Sequence, residues 1–437
     1  MILKGTLRVA SDKSITHRAL MLASMTKGIT KIHSPLWAED TEATKTIFTG
    51  FGVDFDDENG NFVVNSSGIA GFKRFIPARP LGGVDAGNSG TTARLMMGVL
   101  AGITQWFPPI FGDESLSKRP MKRIQIPLEL MGAEILLASD GETLPALIKG
   151  SKDLQGITYE LPVASAQLKS AILLAGLQAK GTTTIIEPTA TRDHTELMLE
   201  DFGIEVKRAG NQISIQGGQT LQSPGDVYVP ADISQAAFFM VAALIVPDSD
   251  ITLCEVGINP TRTGILDVLE AMGAQIEVVN QRLFGKELVA DIRIKYTDNL
   301  GAVEISGDLV PRLIDEIPIL ALLATRITGV TVIKDAEELK VKESNRLSKT
   351  ADLLTELGAV AIEVSDGMVI YGYPDRELFS DEALCSDSDH RLAMMLMVAN
   401  LVTVGELNIH DKHAIQVSYP NFEKDLRGLM CQSMGIL

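Results

Sequence analysis

Residues 171–186, AILLAGLQAKGTTTII, contain an apolar run rich in Ala and Leu, a turn at Gly181 and a short β-branched segment. The run predicts a buried helix, and glycine supplies the left-handed backbone that ends a helix. The β-branched segment predicts a strand. The same order recurs, with turns about 70 to 80 residues apart, in 19–32, 93–103, 237–253, 319–333 and 393–409. The six predicted turn positions are Gly28, Gly102, Gly181, Asp248, Gly329 and Gly405.

A second pattern lies between the copies of the first. A helix ends in Phe, Met or Leu followed by Gly, and a strand comes next, in 47–55, 128–136, 197–206, 268–278 and 354–364. Each repeat therefore has the order helix, strand, helix, strand, and six such units would form two domains of three units. Ordinary crossovers in a doubly wound sheet are the alternative, but the near-equal spacing favours repeats. The stretch 217–234, rich in Gly, Pro, Ser and Asp, is the best linker candidate.

Composition excludes several classes of protein. The 437 residues include 39 Lys and Arg against 56 Asp and Glu, a net charge of −17, which disfavours a nucleic-acid or anionic-membrane binder. No apolar stretch is long enough to span a bilayer, and the N-terminus lacks the apolar run of a signal peptide. The three cysteines, Cys254, Cys385 and Cys431, form no CxxC pair, so a zinc site is not expected. Reduced thiols in a cytosolic protein are the simpler interpretation, although one bridge between two of them stays open.

Three polar segments come at the predicted start of an apolar helix. They are 12–18 (DKSITHR), 87–94 (GNSGTTAR) and 165–169 (SAQLK). The N–H groups and the dipole at a helix start attract anions, and the Lys and Arg side chains add positive charge. Either Asp12 or Ser14 can cap the first helix. A capped helix with solvated charges explains any one segment, but three segments in equivalent repeat positions favour a shared anion pocket.

In the second half of the chain, acidic residues join the basic ones. Asp315 and Glu316 precede the fifth apolar helix, and the segments 340–346 (KVKESNR) and 389–391 (DHR) open two further helices. Carboxylates held beside cations can transfer protons. Solvated surface charge is the alternative for each segment taken alone.

Nine segments, in order along almost the whole chain, are similar to the enolpyruvyl transferase family, and within it to members that act on shikimate-3-phosphate. They are DKSITHR 12–18, AGNSGTTARL 86–95, GDESLSKRPM 112–121, ASAQLKSAILLAG 164–176, TRDHTE 191–196, PRLIDEIPILALLA 311–324, LKVKESNRL 339–347, DHRLAMM 389–395 and SYPNF 418–422. The resemblance implies an α/β (α+β) fold of two similar domains. Each domain would have three βαβαββ repeat units, an inside-out α/β barrel, with the active site in the interdomain cleft.

The same resemblance implies domain bounds and a reaction. Residues 1–12 plus 230–437 would form the first domain and residues 13–229 the second. The protein would transfer the enolpyruvyl (carboxyvinyl) group of phosphoenolpyruvate to the 5-hydroxyl of shikimate-3-phosphate and release phosphate through a tetrahedral intermediate. This reaction belongs to the shikimate pathway and to chorismate and aromatic amino-acid biosynthesis. No metal or organic cofactor, nucleic acid or membrane partner is expected, and a cytoplasmic monomer is.

The family's residue roles are carried onto the matching positions of this sequence. Shikimate-3-phosphate would be bound by Lys13, Ser14, Arg18, Ser165, Ala166, Gln167, Thr191, Arg192, Asp315 and Lys342. Phosphoenolpyruvate would be bound by Lys13, Asn88, Gly90, Arg119, Gln167, Arg346 and Arg391. Asp315 would take the proton from the 5-hydroxyl, and Glu343, with Lys342 beside it, would protonate the methylene carbon; Lys13 is the remaining catalytic candidate. Eight cations would converge on the site: Lys13, Arg18, Arg119, Lys169, Arg192, Lys342, Arg346 and Arg391.

The sequence departs from the family pattern at a position that would contact phosphoenolpyruvate. Some members place a Lys directly before the motif that is Ser418-Tyr419-Pro420 here. This chain has Val417, so one cation is missing unless Lys412 or another group substitutes.

Two alternative functions stay open. One alternative is a UDP-N-acetylglucosamine enolpyruvyl transferase, but such enzymes usually carry a Cys in the loop that corresponds to 112–120, and this loop has none. The other is a non-catalytic anion-binding paralogue, against which Asp315 and Glu343 both argue.

Overall fold

The computed structural model describes residues 2–73, 75–76, 83–104 and 107–433, with side chains described to residue 430. The chain divides into two compact units. Unit 1 consists of Met1–Ala10, Pro230–Leu283 and Leu288–Leu437, and unit 2 consists of Ser11–Val229 with Phe284–Glu287. The chain therefore passes between the units after residues 10, 229, 283 and 287. The second of these points lies inside the predicted linker.

The described residues form twelve α-helices and twenty strands. The helices are α1 (Lys13–Met25), α2 (Glu39–Gly50), α3 (Gly90–Leu100), α4 (Lys122–Leu130), α5 (Ala166–Gly176), α6 (His194–Asp201), α7 (Ile233–Ile245), α8 (Gly264–Ala271), α9 (Ile317–Thr325), α10 (Arg346–Glu356), α11 (His390–Ala399) and α12 (Phe422–Ser433). The strands are β1 (Lys4–Leu7), β2 (Lys27–His33), β3 (Asp54–Glu58), β4 (Asn61–Ser67), β5 (Val84–Asp85), β6 (Ile110–Phe111), β7 (Glu134–Leu136), β8 (Leu147–Lys149), β9 (Thr158–Glu160), β10 (Thr182–Ile186), β11 (Val206–Ala209), β12 (Gln212–Gln216), β13 (Asp226–Tyr228), β14 (Asp250–Gly257), β15 (Gln275–Phe284), β16 (Glu287–Lys295), β17 (Glu304–Ile305), β18 (Gly329–Ile333), β19 (Val360–Val364) and β20 (Gly367–Gly372).

Unit 2 contains three copies of one arrangement. In the clearest copy, β9 and β10 are parallel and joined by the buried helix α5, and the hairpin β11–β12 adds antiparallel strands in the order β9-β10-β12-β11. The sheet β13-β2-β4-β3 repeats this order, with its first strand taken from the end of the unit. The third copy is split into the pairs β5–β6 and β7–β8, which the bridge between Ile110 and Ala146 links.

Unit 1 contains two complete copies and one shortened copy. The sheets β1-β14-β16-β15 and β17-β18-β20-β19 follow the same order, and the first takes its leading strand from the N-terminus. In the last copy, two parallel bridges join the segment before α11 to the segment after it, Leu378 with Thr403 and Leu384 with Ile409. After these bridges the described chain forms a 3-10 helix, Lys412–Val417, and α12 instead of a helix and hairpin. The predicted α/β repeat fold is thus confirmed, with the sixth repeat truncated.

The apolar helices form the core of each unit. All 13 residues of α7 are buried, as are 11 of the 13 residues of α1. A helix that is apolar on every side is stable only when other elements surround it. The helices of the second pattern instead bury one face, as α8 does with Ile265, Val268 and Leu269. The two predicted helix types therefore differ in burial: helices of the first pattern are buried almost completely, and helices of the second pattern bury one face.

The glycines of the second pattern share one backbone conformation. The five glycines have φ between 81° and 110°, in the left-handed region that glycine adopts without a Cβ penalty, and each is followed by a strand: Gly52, Gly132, Gly203, Gly273 and Gly358. The first pattern is less uniform. Gly181, Asp248 and Gly405 are left-handed turn residues, whereas Gly28 and Gly329 lie inside β2 and β18.

Two details of the first pattern are wrong. Gly102 does not have a positive φ. Glycine is required there for another reason, since a Cβ would lie 2.3 Å from Oε1 of Gln178. In addition, 93–103 and 393–409 contain no strand among their described residues, since only bridges form at Thr403 and Ile409.

We predict that Gly98→Ala destabilises unit 2, because its Cβ would lie 2.2 Å from the carbonyl oxygen of Ala171 where α3 and α5 cross. The cost should be about 2 kcal/mol, and the thermal unfolding midpoint should fall by about 6 °C. The matched control is Gly428→Ala in α12, where the new Cβ meets nothing within 4 Å. That control should be neutral or stabilising by about 0.5 kcal/mol, since alanine favours the helix. Equal midpoints for the two variants in calorimetry would contradict the close packing of α3 on α5.

Candidate active site

The start of α1 carries the first group of candidate residues. Asp12 is the N-cap, and its carboxylate accepts from the backbone N–H of Ile15 at 2.8 Å. Ser14 is therefore not the cap and lies in the first turn with Lys13. The Lys13 ammonium forms a largely buried ion pair with Asp40 of α2 at 3.0 Å. Asp40 thus fixes the position of a predicted catalytic lysine, although Asp40 was not among the residues predicted from the sequence.

Arg18 is a buried cation on the next turn of α1. Its guanidinium donates to the hydroxyl oxygens of Thr195 and Ser170, at 2.7 and 2.9 Å, and to the carbonyl oxygen of Ser14 at 2.9 Å. Among the described residues no carboxylate forms an ion pair with it. Burial lowers the pKa of Arg18 to about 10, although Glu196 and Asp12 oppose that shift and Arg192 lies near enough to add to it. A buried guanidinium that touches only neutral oxygens is suited to an anionic ligand.

The start of α3 carries the second group. Ser89 is the N-cap and accepts from the backbone N–H of Thr92 at 3.1 Å. The preceding Asn88 accepts from the Arg119 guanidinium at 3.0 Å and donates to Asp113 at 2.6 Å. A Cβ on Gly90 would lie 2.8 Å from a guanidinium nitrogen of Arg94 and 3.3 Å from one of Arg119. Glycine at this position therefore keeps space open beside two buried cations.

The start of α5 carries the third group. Ser165 is the N-cap and accepts from the backbone N–H of Leu168. The side-chain oxygen of Gln167 accepts from Arg94 at 2.7 Å, and its nitrogen donates to Thr91 at 3.0 Å. Arg94 belongs to the quoted segment 86–95 but had no assigned role. It connects the starts of α3 and α5 and orients Gln167.

One of the eight predicted site cations has a different role. Lys169 is 1% exposed, and its ammonium lies 3.1 Å from Glu187 and 2.7 Å from Glu196. Glu187 also accepts from the backbone N–H and the hydroxyl of Thr191. Two buried carboxylates compensate the charge of Lys169, so the prediction that it belongs to the anion-binding group is wrong. The cluster holds the segment that contains Thr191 and, next to it, Arg192.

Unit 1 gathers its four other predicted site residues around Asp315. One carboxylate oxygen of Asp315 lies 3.2 Å from Arg346, 3.9 Å from Arg391 and 4.0 Å from Lys342. Glu343 joins the group through an ion pair with Arg346. The side chain of Asp315 is 13% exposed, so a ligand can still reach it.

Arg346 organises this cluster. It is 1% exposed, and Asp389, the N-cap of α11, accepts from its Nε at 2.9 Å. Burial opposes the charge, yet the neighbouring carboxylates of Asp389, Glu343 and Asp315 raise the pKa of Arg346 above its usual value. Arg346 is therefore a permanent cation that holds three acids in place.

Arg391 differs from Arg346 because part of its guanidinium has no partner. The side chain is 7% exposed, and its NH1 nitrogen is buried without a hydrogen bond among the described residues. An unpaired buried donor on a cation carries a large desolvation cost. A bound anion would remove that cost, which makes Arg391 the clearest anion-binding candidate in unit 1.

Glu316 is separated from its neighbour Asp315. Its side chain is fully buried and accepts from the Ser234 hydroxyl, which in turn accepts from Arg262 at 2.7 Å. Arg262 also donates to Asp232, the N-cap of α7, at 3.0 Å. A single arginine in a loop carries no pattern, so the role of Arg262 could not be predicted from the sequence. This network connects the starts of α7 and α9 and leaves Asp315 as the carboxylate that faces the cations.

The remaining expectations concern Val417, the three cysteines, metal binding and membrane spans. Val417 ends the 3-10 helix that Lys412 begins. Cys254 and Cys385 are free cysteines, and the side chain of Cys431 lies outside the described part of the chain. Within the described ranges, no group of three His, Cys, Asp or Glu side chains could hold a metal ion, and no helix is long and apolar enough to cross a membrane.

Taken together, these contacts favour chemistry on anionic substrates. Each unit places buried cations in the first two turns of helices, and unit 1 adds two carboxylates, Asp315 and Glu343, in contact with those cations. Cations can hold phosphate and carboxylate groups, and the carboxylates can accept or return protons.

Comparisons with solved structures first identify the fold. The enolpyruvyl transferase NikO from Streptomyces tendae has a TM-score of 0.78 and 21% sequence identity, over 98% of this chain and 95% of that chain. At this identity the likeness shows the enolpyruvyl transferase fold alone. The EPSP synthase from Acinetobacter baumannii is more similar, with a TM-score of 0.86 and 42% identity over 98% of this chain and 96% of that one.

Sequence comparisons then identify the family. The family model described as EPSP synthase (3-phosphoshikimate 1-carboxyvinyltransferase) matches residues 2–426. The 3-phosphoshikimate 1-carboxyvinyltransferase of Bacillus cytotoxicus is 47% identical over 427 residues, 98% of this chain and 98% of that protein. The enzyme of the same name from Bacillus subtilis is 47% identical over 431 residues, 99% of this chain and 98% of that protein. The chain belongs to the EPSP synthase family and is a transferase, which confirms the resemblance predicted from its motifs.

The environment of Arg18 generates a prediction about anion binding. Inorganic phosphate should raise the thermal unfolding midpoint of the wild-type protein, because a ligand that binds the folded state stabilises it. Arg18→Met should lower that phosphate-dependent rise by about twofold or more, since it removes a cation that no acid compensates. The control is Arg427→Met, which removes a largely exposed cation paired with Glu423. Equal protection of Arg18→Met and the control would contradict an anion site at Arg18.

Proposed function

We propose that this chain transfers the enolpyruvyl group of phosphoenolpyruvate to the 5-hydroxyl of shikimate-3-phosphate, with release of phosphate. Family membership along residues 2–426 supports the reaction. The observation that carries it for this chain is Asp315, a carboxylate within 4.0 Å of Lys342, Arg346 and Arg391. Both substrates are anions, and the reaction needs a proton acceptor beside cations.

The proposed shikimate-3-phosphate site uses three parts of unit 2: the starts of α1 and α5, and the segment directly before α6. Arg18 supplies a buried cation for the phosphate, with Arg192 close enough to influence its pKa. Gln167, held by Arg94 and Thr91, offers an oriented amide to the sugar-like ring. The full set is Lys13, Ser14, Arg18, Ser165, Ala166, Gln167, Thr191 and Arg192, with Asp315 and Lys342 of unit 1.

The proposed phosphoenolpyruvate site shares Lys13 with the first site and adds three further cations, Arg119, Arg346 and Arg391. Gly90 leaves room beside Arg119, and Arg391 has an unpaired buried nitrogen. Arg346 forms ion pairs with three acids, so we propose that it has two roles. It binds the substrate, and it holds Glu343 and Asp315 in place. The full set is Lys13, Asn88, Gly90, Arg119, Gln167, Arg346 and Arg391. Val417 supplies no cation in this set.

The proposed chemistry is an addition followed by an elimination. Asp315 accepts the proton of the 5-hydroxyl as the oxygen bonds to C2 of phosphoenolpyruvate, while C3 gains a proton from Glu343. The tetrahedral adduct then loses phosphate from C2 and a proton from C3, which restores the double bond. Lys13 and Lys342 compensate the negative charge that develops on the substrates.

The ion pair between Glu343 and Arg346 constrains this scheme. Contact with a guanidinium favours the ionised carboxylate. In this arrangement Glu343 is ready to remove the C3 proton during elimination. It must first take up a proton, or separate from Arg346, before it can protonate C3 during addition. The dominant direction of proton transfer should therefore depend on how substrates change that ion pair.

The proposal also includes the two domains and the setting of the enzyme. We equate unit 1 and unit 2 with the two domains implied by the resemblance, so that the reaction requires residues from both. A cytoplasmic monomer that needs no metal or organic cofactor completes the proposal. The UDP-N-acetylglucosamine alternative is disfavoured because relatives at 47% identity are named for shikimate-3-phosphate chemistry.

Phosphate release tests the proposed function directly. The purified chain should release inorganic phosphate when it receives shikimate-3-phosphate and phosphoenolpyruvate together, and not with either one alone. Replacing shikimate-3-phosphate by UDP-N-acetylglucosamine should give no release. If the complete mixture releases no more phosphate than the single-substrate controls, the proposed function is wrong.

We further predict that Asp315→Asn lowers kcat by about 10³-fold, because asparagine cannot accept the hydroxyl proton. The unfolding midpoint should change far less than the rate. The matched control is Asp387→Asn, which neutralises a half-exposed carboxylate paired with Lys349 at 3.3 Å, and it should retain the wild-type rate. A normal rate for Asp315→Asn in the phosphate assay would remove Asp315 from the catalytic role.

A further inference from the structure

Four buried polar side chains of unit 2 form a closed ring of hydrogen bonds. They come from three helices: His17 from α1, Thr44 from α2, and Ser89 and Thr92 from the start of α3. His17, Thr44 and Thr92 are fully buried, and Ser89 is 1% exposed. Neither the predicted site residues nor the mechanism above uses these four side chains.

The distances define the ring. Nδ1 of His17 lies 2.8 Å from the Thr44 hydroxyl, which lies 2.7 Å from the Thr92 hydroxyl. The Thr92 hydroxyl donates to the Ser89 hydroxyl oxygen at 2.7 Å. The Ser89 oxygen lies 3.5 Å from Nε2 of His17, which closes the ring.

Counting protons fixes the tautomer of His17. Each hydroxyl has one proton to donate. Since Thr92 donates to Ser89, Thr44 must donate to Thr92, and Nδ1 of His17 must donate to Thr44. Nε2 then carries no proton and accepts from Ser89. The ring is complete only when His17 is neutral with its proton on Nδ1.

The surroundings of His17 favour this neutral form. Burial lowers the pKa of His17 well below its ordinary value, and the neighbouring cations Lys13 and Arg18 lower it further, against a smaller opposing effect of Asp12. A proton on Nε2 would also face a Ser89 oxygen that already accepts from the hydroxyl and the backbone N–H of Thr92. Protonation would therefore break the contact that holds the N-cap of α3.

We propose that His17 is a positioning residue, whose neutral imidazole holds the start of α3 against α1 and so orients Asn88 and Gly90 for phosphoenolpyruvate. This inference rests on the proposed function. Ser89, which the ring fixes, lies between these two residues, and Asn88 in turn holds the Arg119 guanidinium at 3.0 Å. A shift of the N-cap would therefore move the amide, the open space at Gly90 and the cation together. The predicted shikimate-3-phosphate residues on α1 keep their own cap at Asp12.

Thr44→Val tests the proposal without touching a proposed substrate contact. Valine matches threonine in shape but cannot link His17 to Thr92. The KM for phosphoenolpyruvate should rise about tenfold, whereas the KM for shikimate-3-phosphate should stay within about twofold of wild type. The control is Thr183→Val in β10, where the threonine is fully buried and its hydroxyl has no hydrogen-bond partner in the described structure. The control should leave both KM values unchanged.

The outcomes separate this inference from the proposed function. If the wild-type protein releases no phosphate with both substrates, the proposed function is wrong. If the wild-type protein is active and folded Thr44→Val has an unaltered KM for phosphoenolpyruvate, the positioning role is wrong. Equal rises in both KM values would also contradict it, because a general loosening of unit 2 would then explain the variant.

Nuclear magnetic resonance of the histidine rings gives a second, independent test. With ¹⁵N-labelled histidine, the His17 signals, identified by their loss in His17→Asn, should show a protonated Nδ1 and an unprotonated Nε2. This pattern should persist as the pH falls below 6.5, where an ordinary histidine takes up a proton. The stability contributed by neutral His17 should be complete above that pH and be lost as the pH falls towards its lower folded-state pKa. An Nε2-protonated or charged His17 at pH 6.5 would overturn the proposal.

Discussion

Both units contain cations that are buried in the first two turns of helices. A guanidinium removed from water must be compensated by acids or by a ligand. Arg346 is compensated by three carboxylates, and Lys169 by two. Arg18 and Arg391 are compensated less, since Arg18 touches neutral oxygens and Arg391 has an unpaired nitrogen and one long contact, 3.9 Å, with Asp315. The unsatisfied cations mark where anionic substrates are expected to bind.

The repeated fold explains why these groups come together within each unit. The apolar helices are buried along almost their whole length, so the start of each helix is the part that can carry polar chemistry. N-caps such as Asp12, Ser89 and Ser165 satisfy the first N–H groups and free the adjacent residues for ligands. The ring around His17 is a further use of the same positions, since it links the starts of two of these helices.

Local signals predicted the fold well, and contacts between distant segments limited the prediction of the site. The left-handed glycines of the second pattern follow from sequence alone, because a turn between helix and strand is a local requirement. The strands expected in 93–103 and 393–409 did not form, since the third copy in unit 2 is split and the last copy in unit 1 is truncated. Lys169 was misassigned because nothing near it in sequence shows that Glu187 and Glu196 approach it. The expectation of an active site in the interdomain cleft stays a prediction.

In the proposed mechanism, cations hold two anionic substrates while carboxylates move protons in an addition and an elimination. This mechanism can be tested by running the reaction in heavy water and examining the product by mass spectrometry. Addition converts C3 of phosphoenolpyruvate into a CH2D group that can lose either isotope, so we expect deuterium in the vinyl group of the product. A product that forms with no deuterium at that carbon would contradict the addition and elimination mechanism and the role of Glu343.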